Sequence, residues 1–368
     1  MIPLAISRTF TTHSLITGRT GMGKSTLLRA ICANIVKRGD GLLLVDPHGD
    51  LAESVRADIP TNRKNDLIWF DAAHPAECRG INPIRNVPLA RRAVVVSNLL
   101  AIMRKLWPDN WGPRTEHILR HVLLALTEVR GATLLDAQAM LVDDNRRRWV
   151  LKQTKDEYVR AFWVKEFPSY GKQFAAEIVA PILNKLGAIL ASPAVREIVT
   201  RHRPYLNARR AMDRQGIVLA SLSKGRIGED AALLLGGLLI GAFQHAAMSR
   251  ADIPSEQRLP FTIAVDEIGS FVTGPFLELL AEARKYGVTL VMATQSLAAM
   301  DEKARRSMLT NVGSLVAFRS GADDVELLLK EFAGLFRPEI LMALDVGECV
   351  VKEGTKRPRI VLLNSSAR

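Results

Sequence analysis

One short glycine-rich segment constrains the fold of this chain more than any other feature. Residues Gly18 to Ser25 read G-R-T-G-M-G-K-S, which fits the pattern G-x-x-x-x-G-K-[ST]. An apolar run, Ser14–Thr17, precedes this segment, and a stretch of helical character, Ser25–Lys37, follows it. A glycine loop between a strand and a helix directs backbone N–H groups at an anion. The pattern therefore predicts a phosphate-binding loop in an α/β fold.

The alternation of short apolar runs with helical segments continues along most of the chain. Several of the runs are continuously apolar, as expected for strands buried on both faces. Most have a helical segment close behind, which predicts a parallel-rich central sheet with crossover helices. The predicted strands are Ser14–Thr17, Leu42–Val45, Leu67–Phe70, Ile217–Leu222, Phe261–Val265, Val288–Ala293, Ser314–Phe318 and Glu348–Val351.

The alternation stops between about Pro88 and Tyr205, where the apolar spacing becomes helical. Ile118, Val122 and Ala125, for example, recur at spacings of four and three. This pattern predicts an all-helical domain inserted into the α/β domain. We expect residues 1–87 and 206–368 to form the nucleotide-binding core and residues 88–205 to form the insert.

Composition excludes several classes of protein. The apolar fraction of 48% and the charged fraction of 24% are ordinary for a globular protein. Cys32, Cys78 and Cys349 have no metal-like spacing and indicate reduced thiols in a cytosolic protein. The longest unbroken apolar run, Ala231 to Phe243, is shorter than the roughly 20 residues of a membrane span. We expect no membrane span and a cytoplasmic protein, attached to the inner face of the membrane only through partners.

The charge is concentrated in one third of the chain. The chain carries 50 Lys and Arg against 38 Asp and Glu, a net charge of +12. Between Asn86 and Arg214 there are 22 Lys and Arg against 12 Asp and Glu, a balance of +10. Such an excess favours a polyanionic partner, such as DNA bound through backbone contacts that are mostly independent of sequence.

The loop and a second acidic strand predict a site for ATP and Mg²⁺. Lys24 would reach the β- and γ-phosphates, and the Ser25 hydroxyl would ligate Mg²⁺. The strand Phe261–Val265 runs into Asp266 and Glu267, which places both carboxylates at the sheet edge where the loop lies. Asp266 would hold Mg²⁺ through water, and Glu267 would polarise the attacking water. The predicted nucleotide-binding residues are Gly18, Arg19, Thr20, Gly21, Met22, Gly23, Lys24, Ser25 and Thr26.

Two further residues are candidates for catalysis. Gln295 follows the strand Val288–Ala293, where it could contact the γ-phosphate or the water, although Gln at a loop also serves turns. Arg284 lies in the connection that leads into the same strand. It could reach the phosphate of a neighbouring subunit, or it could be a cation near a helix C-terminus, favoured there by the helix dipole.

Four other clusters each allow a functional and a structural interpretation. In the segment Asp46–Asp50, the side chains could line the site, or the segment could form a turn with Asp50 capping the next helix. The others lie in the predicted insert. His117 and His121 are spaced for a shared metal, but a packed pair is the commoner case. A cluster of aromatic residues among cations could stack bases or form a core; it contains Phe162, Trp163, Phe167, Tyr170 and Phe174. The arginine run Arg146, Arg147 and Arg148 could contact phosphates or could be exposed to water.

Taken together, the motifs resemble one family, the conjugative coupling ATPases of type IV secretion systems in the HerA–FtsK superfamily of DNA translocases. The resemblance implies a RecA-like core, a hexameric ring, ATP-driven movement of DNA and an inserted helical domain. It also places Arg284 on the family's trans-acting arginine and Gln295 on its sensor. The motifs that carry it are Gly18–Ser25, Asp46–Leu51, Asn82-Pro83, Trp111–Arg114, Val265–Glu267, Glu282–Gly287, Thr294–Leu297 and Asn311–Gly313.

The resemblance sets the expected function and its alternatives. We expect an ATP-hydrolysing DNA translocase of conjugative transfer, a homo-hexamer with relaxosome or secretion-channel proteins as partners. Membrane-bound members carry transmembrane helices ahead of the loop, and seventeen residues precede Gly18 here. This predicts a soluble member, a relative within a mobile element or a shortened copy. The alternatives are a HerA-type duplex translocase in DNA processing or defence, and a nucleotide-gated platform that recruits protein with little turnover.

Overall fold

The structure, a computed structural model, describes residues 12–201 and 203–363 and divides the chain into two units. The first unit contains residues up to Phe70, Ala208–Leu222 and the chain from Phe243 onward. The second contains Asp71–Asn207 and Ser223–Ala242. The predicted domain boundaries at residues 88 and 205 remain a prediction, and the units divide the chain at other points.

One sheet organises the first unit. Within the described residues it has nine strands in the order β3-β4-β2-β5-β6-β1-β7-β8-β9. The pairs from β4 through β2, β5, β6 and β1 to β7 are parallel, whereas β8 and β9 join antiparallel at one edge. The strands are β1 (Ser14–Thr17), β2 (Gly41–Asp46), β3 (Leu67–Asp71), β4 (Ile217–Ser221), β5 (Phe261–Val265), β6 (Val288–Thr294), β7 (Ser314–Ala317), β8 (Glu348–Glu353) and β9 (Arg359–Leu362).

Helices connect the strands and make up the second unit. The α-helices are α1 (Lys24–Lys37), α2 (Asp50–Ala57), α3 (Arg92–Leu106), α4 (Pro113–Thr127), α5 (Leu134–Val142), α6 (Asp144–Gln153), α7 (Glu157–Ala161), α8 (Phe167–Ser169), α9 (Lys172–Ala191), α10 (Pro193–Thr200), α11 (Ala208–Asp213), α12 (Lys224–Ile227), α13 (Glu229–Ser249), α14 (Gly274–Glu282), α15 (Glu302–Asn311), α16 (Ala322–Glu331) and α17 (Pro338–Ala343). A π-helical turn spans Phe162–Glu166. The 3₁₀ turns are Thr61–Asp66, Pro75–Glu77, Leu89–Arg91, Pro108–Asn110, Arg250–Asp252, Ser255–Gln257, Ile268–Ser270 and Ala283–Tyr286.

The hydrophobic core of the first unit forms where α1 packs on the sheet. Apolar residues of α1, among them Leu28, Ile31 and Ile35, are buried against Leu44 of β2 and Val316 of β7. Their spacing of three and four places them on one face of the helix. This packing anchors the end of α1 that follows the glycine loop, so that the loop is held at the edge of a rigid sheet.

The second unit is helical in its regular elements throughout the described residues. Apolar side chains of α4, including Ile118, Val122 and Ala125, are buried, as their spacing predicts. Gly237 of α13 lies close to α3, since a Cβ atom there would lie 3.0 Å from Ile102 Cγ2. A glycine at this position allows two helices to approach closely.

Two helical stretches among the described residues are long and apolar enough to cross a membrane. They are Lys172–Ala191 and Glu229–Asp252, each with a mean hydropathy of 1.6 over its best window. The first window is 33% buried within the fold and the second is 72% buried. Polar residues such as Gln244 interrupt the apolar runs, which is why run length alone predicts no span. A buried core helix passes the same test of length and composition.

The predicted α/β fold class is confirmed, because the sheet is mainly parallel and helices connect its strands along the chain. All eight predicted strands form, with ends within two residues of those expected. The ninth strand, β9, is absent from the prediction. It pairs only at the sheet edge and its residues are largely exposed, so it lacks the apolar run that marks a buried strand.

Candidate active site

The glycine loop leaves the carboxyl end of β1, a strand between β6 and β7 in the middle of the sheet. Gly18 and Gly23 have φ angles of 142° and 112°, which side chains rarely adopt. A Cβ atom on Gly18 would lie only 2.6 Å from Phe318 Cβ. The first glycine of the motif is therefore required both by its backbone conformation and by its contact with the residue after β7.

Lys24 folds back over the loop. Its Nζ donates hydrogen bonds to Gly18 O at 2.6 Å and to Arg19 O at 3.0 Å. Burial lowers the pKa of Lys24 from its ordinary value, and the charges of Glu267 and Asp266 partly oppose that shift. The ammonium group thus lies within the loop, with carboxylates near enough to affect its charge.

The start of α1 is open to an anion. Gly23 precedes the helix and no side chain caps its first turn. Ser25 and Thr26, in that first turn, are exposed. Uncapped N–H groups and the positive end of the helix dipole together favour a bound phosphate here.

Asp266 follows β5 at the same edge of the sheet. Its side chain is buried, and its backbone N–H donates to Val45 O at 3.0 Å. Burial, followed by the charges of Asp46 and Glu267, raises the pKa of Asp266 to about 6. A buried carboxylate surrounded by other carboxylates has a strong electrostatic preference for a cation.

A hydrogen-bond chain joins the glycine loop to the acidic pair. The Thr20 hydroxyl donates to Gln295 Oε1 at 3.0 Å, and Gln295 Nε2 donates to Glu267 Oε1 at 2.6 Å. Glu267 has a φ of 50°, a left-handed conformation that is strained for a residue with a side chain. The structure therefore brings Thr20, Gln295 and Glu267 together at one place.

Asp324 supports this arrangement, and the sequence analysis missed it. Its carboxylate accepts from Ser296 Oγ at 2.8 Å and from the backbone N–H groups of Leu297 and Ala298 at 3.1 and 2.8 Å. The side chain is buried in the first turn of α16. These contacts fix the loop that begins at Gln295. An acidic residue in the first turn of a helix is common, and the burial that distinguishes Asp324 is not visible in a sequence.

The structure corrects the predicted cap of α2. Asp50 does not cap this helix; Gly49 is the cap residue, and it has no side chain to do so. Asp46 takes that role, since its Oδ1 accepts from His48 N and its Oδ2 from Ala52 N, both at 2.9 Å. The correction has a geometric reason: Asp50 is already the first residue of the helix, whereas Asp46, at the end of β2, reaches forward to the first turn of the helix.

Arg284 lies at the amino ends of the parallel strands, whereas the glycine loop lies at their carboxyl ends. It is exposed in the turn Ala283–Tyr286, before the start of β6. The loop follows Thr17, which pairs with Thr294 at the far end of β6. The length of β6, Val288–Thr294, separates the two edges by about 20 Å. The guanidinium of Arg284 therefore cannot reach the phosphate loop of its own chain.

The histidine pair and the aromatic cluster of the insert have structural roles. His121 is buried and stacks on Phe162 with ring centroids 4.0 Å apart, and His117 Nε2 contacts Glu166 Oε1 at 3.0 Å. Phe162, Trp163 and Phe167 are buried, as expected if the aromatic residues form a core, whereas Phe174 is exposed. In residues 12–201 and 203–363, no group of three or more His, Cys, Asp or Glu could hold a metal.

The arginine run makes contacts within its own unit. Arg146 pairs with Asp136 and lies over the Trp149 ring. Arg147 donates to Met140 O at 3.0 Å and Leu141 O at 2.9 Å. Arg148 Nη2 donates to Asn145 Oδ1 at 2.6 Å. Arg147 thus ties α6 to the end of α5, and Arg148 contacts the first turn of α6. These contacts favour the structural interpretation over phosphate contact.

Two protein families match separate parts of the chain. Residues 1–85, which include the glycine loop, match the family "Helicase HerA, central domain". Residues 260–335, which include the acidic pair, Arg284 and Gln295, match the family "TraM recognition site of TraD and TraG".

Similar whole proteins point the same way. The type 4 coupling protein DotL of Legionella pneumophila is 21% identical in an alignment of 365 positions, which covers 82% of this chain and 46% of DotL. The chain thus spans about half the length of that relative. The plasmid coupling protein TrwB, solved with ADP and Mg²⁺, has a TM-score of 0.70 at 17% identity and covers 98% of this chain and 87% of its own. VirB4 of Thermoanaerobacter pseudethanolicus has a TM-score of 0.62 at 14% identity, with 96% and 89% covered. The resemblance expected from the motifs is confirmed: in sequence and fold, this chain is similar to the coupling proteins of type IV secretion systems.

Proposed function

We propose that this chain is an ATP-hydrolysing motor that moves DNA, working as a ring of identical subunits in conjugative transfer. The observation that carries the proposal is the chain Thr20–Gln295–Glu267, which joins a phosphate loop to a carboxylate suited to activate water. A fold built only to bind phosphate has no need of that link.

The glycine loop and the start of α1 hold the nucleotide. Backbone N–H groups of residues 18–26 surround the phosphates, and Lys24 contacts the β- and γ-phosphates. The Ser25 hydroxyl would ligate Mg²⁺, and the Asp266 carboxylate would hold the ion through water. A site of this kind suits Mg²⁺, which takes one or two carboxylates and completes its shell with phosphate oxygens and water. When bound, the ion neutralises charge on the β- and γ-oxygens.

Glu267 and Gln295 position the attacking water. The Glu267 carboxylate accepts a hydrogen bond from that water and turns its lone pair toward the γ-phosphate. Gln295 already holds Oε1 of Glu267, which leaves the second carboxylate oxygen available for the water. The amide lies between the loop and the carboxylate, so it can respond to the presence of the γ-phosphate.

Arg284 acts on the nucleotide of the neighbouring subunit. Two features support this assignment: its guanidinium is exposed, and about 20 Å of strand separates it from the phosphate loop of its own chain. An arginine supplied in this way stabilises charge on the transferring phosphoryl group. A site completed by a neighbour requires an assembly, and a closed ring gives every site its arginine.

The likeness to coupling proteins supports the nucleotide, the partners and the place of action. TrwB has been solved with ADP and Mg²⁺ and with a non-hydrolysable ATP analogue. The match to a TraM recognition family supports a contact with relaxosome proteins within residues 260–335. We place the protein on the cytoplasmic side of the envelope, next to a secretion channel.

The decisive experiment measures ATPase activity with and without DNA alongside particle mass. We expect hydrolysis that DNA stimulates, in particles with the mass of six chains, and none in Lys24→Ala. Stoichiometric ATP binding with negligible hydrolysis at every DNA concentration would contradict the motor. It would favour a nucleotide-gated platform that recruits protein.

The match of residues 1–85 to the HerA central domain favours a second candidate, a duplex translocase of DNA processing. Both candidates hydrolyse ATP, so turnover does not separate them. A translocation assay on a duplex tests the second candidate directly: a HerA-type motor displaces a roadblock from duplex DNA, and failure to displace it would exclude that candidate.

A further inference from the structure

Two other arginines hold the turn that carries Arg284. Arg258 Nη1 donates a hydrogen bond to Lys285 O, and Arg250 Nη1 donates to Tyr286 O at 3.3 Å. The accepting carbonyls belong to the two residues directly after Arg284. Both bonds therefore act on the backbone that sets the direction of the Arg284 side chain.

Arg250 is fully buried beneath this turn. Its Nε contacts Asp213 Oδ1 at 3.1 Å, and its Nη1 also donates to Leu259 O at 2.8 Å. Its Nη2 is one of the buried side-chain atoms in the described part of the chain that have no hydrogen-bond partner. Burial lowers the pKa of Arg250 and the charge of Asp213 opposes that shift. A buried guanidinium is costly, and replacing such pairs with apolar residues often leaves stability unchanged or improved.

The partner of Arg250 is itself fixed. Asp213 also pairs with Arg209, whose Nη2 contacts Asp252 Oδ1 at 2.8 Å and whose Nη1 donates to Ser249 Oγ at 2.9 Å. Asp213 is the last residue of α11, and Ser249 is the last residue of α13. The carboxylate that orients Arg250 is thus tied to two helix ends, which makes the support beneath the turn rigid.

Arg258 holds the turn from the other side. Its Nε donates to Ile253 O at 2.9 Å, which fixes the stem of the side chain. Gly287, with a φ of 70°, ends the turn, and a Cβ atom there would lie 3.3 Å from Arg258 Cβ. The backbone of the turn therefore packs against Arg258 and also accepts a hydrogen bond from it.

We infer that Arg250 and Arg258 are positioning residues that orient Arg284 for catalysis in the neighbouring subunit. The inference rests on the proposed function, in which Arg284 acts in trans. The carbonyls of an exposed turn can bond to water, so satisfying them does not require two arginines. Two fixed donors instead define the path of the turn. A displacement of about 1 Å in a catalytic group can cost about 10²-fold in rate, which is enough to select for such support.

The test separates the contact with the turn from the rest of the Arg258 side chain. Arg258→Gln places an amide nitrogen near the position of Nε, so the bond to Ile253 O can persist while the bond to Lys285 O is lost. Arg258→Lys retains a charged donor that reaches the turn. Arg63→Gln is the matched control, because Arg63 also donates to two backbone carbonyls, Val36 O at 3.0 Å and Gln215 O at 2.6 Å, away from the turn.

We expect Arg258→Gln to lower DNA-stimulated kcat by about 10- to 100-fold, with little change in the KM for ATP. Arg258→Lys should recover most of that loss, and Arg63→Gln should have wild-type kcat. Arg250→Met should show the same kcat loss as Arg258→Gln. Because Arg250 is buried, the assembly of Arg250→Met also has to be checked by particle mass. If Arg250→Met does not assemble, Arg258→Gln decides the question.

Mixed rings give the readout that a general structural defect would not produce. Lys24→Ala subunits have a defective loop but an intact Arg284, so they complement a subunit that is defective only in trans. We expect activity to return when Arg258→Gln is mixed with Lys24→Ala, as it should for Arg284→Ala. Wild-type kcat in Arg258→Gln overturns the inference. The inference is also overturned if Arg258→Gln recovers activity when mixed with Arg284→Ala but not with Lys24→Ala, because the defect would then lie in its own phosphate loop. If Arg284→Ala itself retains wild-type kcat, the trans role proposed above fails, and this inference fails with it.

Discussion

His13 should make the first unit lose stability as the pH falls toward 5. This residue precedes β1 and is buried, and its Nδ1 accepts a hydrogen bond from Leu290 N at 3.0 Å. Burial, followed by the charge of Arg284, lowers the pKa of His13 from 6.5 to about 4. The acceptor role of Nδ1 also requires the ring to be neutral at that nitrogen. The folded chain therefore excludes a proton that the unfolded chain takes up near pH 6.5.

The sign and size of the effect follow from this difference in pKa. The stabilisation is present above the unfolded value of about 6.5 and is lost as the pH falls through the window down to about 4. At pH 5 the unfolded state gains a factor of about 30 from protonation at this one site, or about 2 kcal/mol in the free energy of unfolding. At pH 7.5 the same site contributes almost nothing to the pH dependence.

The measurement compares wild type with His13→Asn, whose side-chain oxygen can still accept from Leu290 N but does not titrate. Urea unfolding at pH 7.5 and 5, followed by pulsed hydrogen exchange of peptides from β1 and β6, reports on the first unit by itself. Wild type should lose about 2 kcal/mol more than His13→Asn between the two pH values. His48→Asn, at an exposed histidine, tests whether loss of any histidine has this effect. Equal losses in wild type and His13→Asn would refute the reasoning.

Three other predictions concern catalysis and DNA binding. Lys24→Ala should abolish ATP turnover by removing its phosphate contacts, whereas Glu267→Gln should bind ATP and stall, which single-turnover hydrolysis and nucleotide titration check. Thr20→Val should lower kcat by about tenfold with ATP affinity nearly unchanged, because it releases the amide that holds Glu267; Thr20→Ser should act as wild type, and a loss of affinity alone would contradict the link. For DNA, the slope of log K against log salt should change by about 0.9 for each duplex phosphate contact removed. Arg147→Glu should damage folding, as seen by thermal unfolding, whereas reversal of exposed lysines in the insert should flatten the salt slope without lowering the melting temperature.

The sequence predicts most of the sheet because its strands are buried on both faces and follow one another with helices between. Phe261–Val265 and Ser14–Thr17 form with the predicted bounds for that reason. The edge strand Arg359–Leu362 has no such signal, since its side chains are mostly exposed. Continuous apolar runs thus locate the centre of a sheet well and its edges poorly.

The candidate site divides in the same way. The glycine loop is predictable because all its residues are contiguous in the sequence, and its backbone conformation requires glycine at particular positions. Asp324 accepts from the backbone N–H of Leu297, 27 residues earlier in the chain, so only the folded chain reveals its role. The misassigned cap at Asp50 shows the same limit, since an error of one residue in the start of a helix moves the cap to another side chain. Contacts across the fold are not encoded in local spacing.

The basic charge of the insert illustrates how structure sharpens a compositional argument. An ion pair removes one cation and one anion together, so the pairs of Arg146 with Asp136 and of Arg120 with Glu116 leave the local excess of +10 unchanged. Pairing decides only which cations carry that excess. The arginine run is the most obvious basic motif, yet Arg147 donates to a carbonyl of α5 and Arg148 to a side chain of α6. Hydrogen bonds to carbonyls do not remove charge, so the arginine run still contributes to the excess. Lys152, Lys155 and Lys165 are further exposed cations of the same unit. If the insert binds DNA, exposed lysines of this kind, rather than the arginine run, should neutralise the phosphates, because a guanidinium that already holds a carbonyl must break that bond before it can bind another anion.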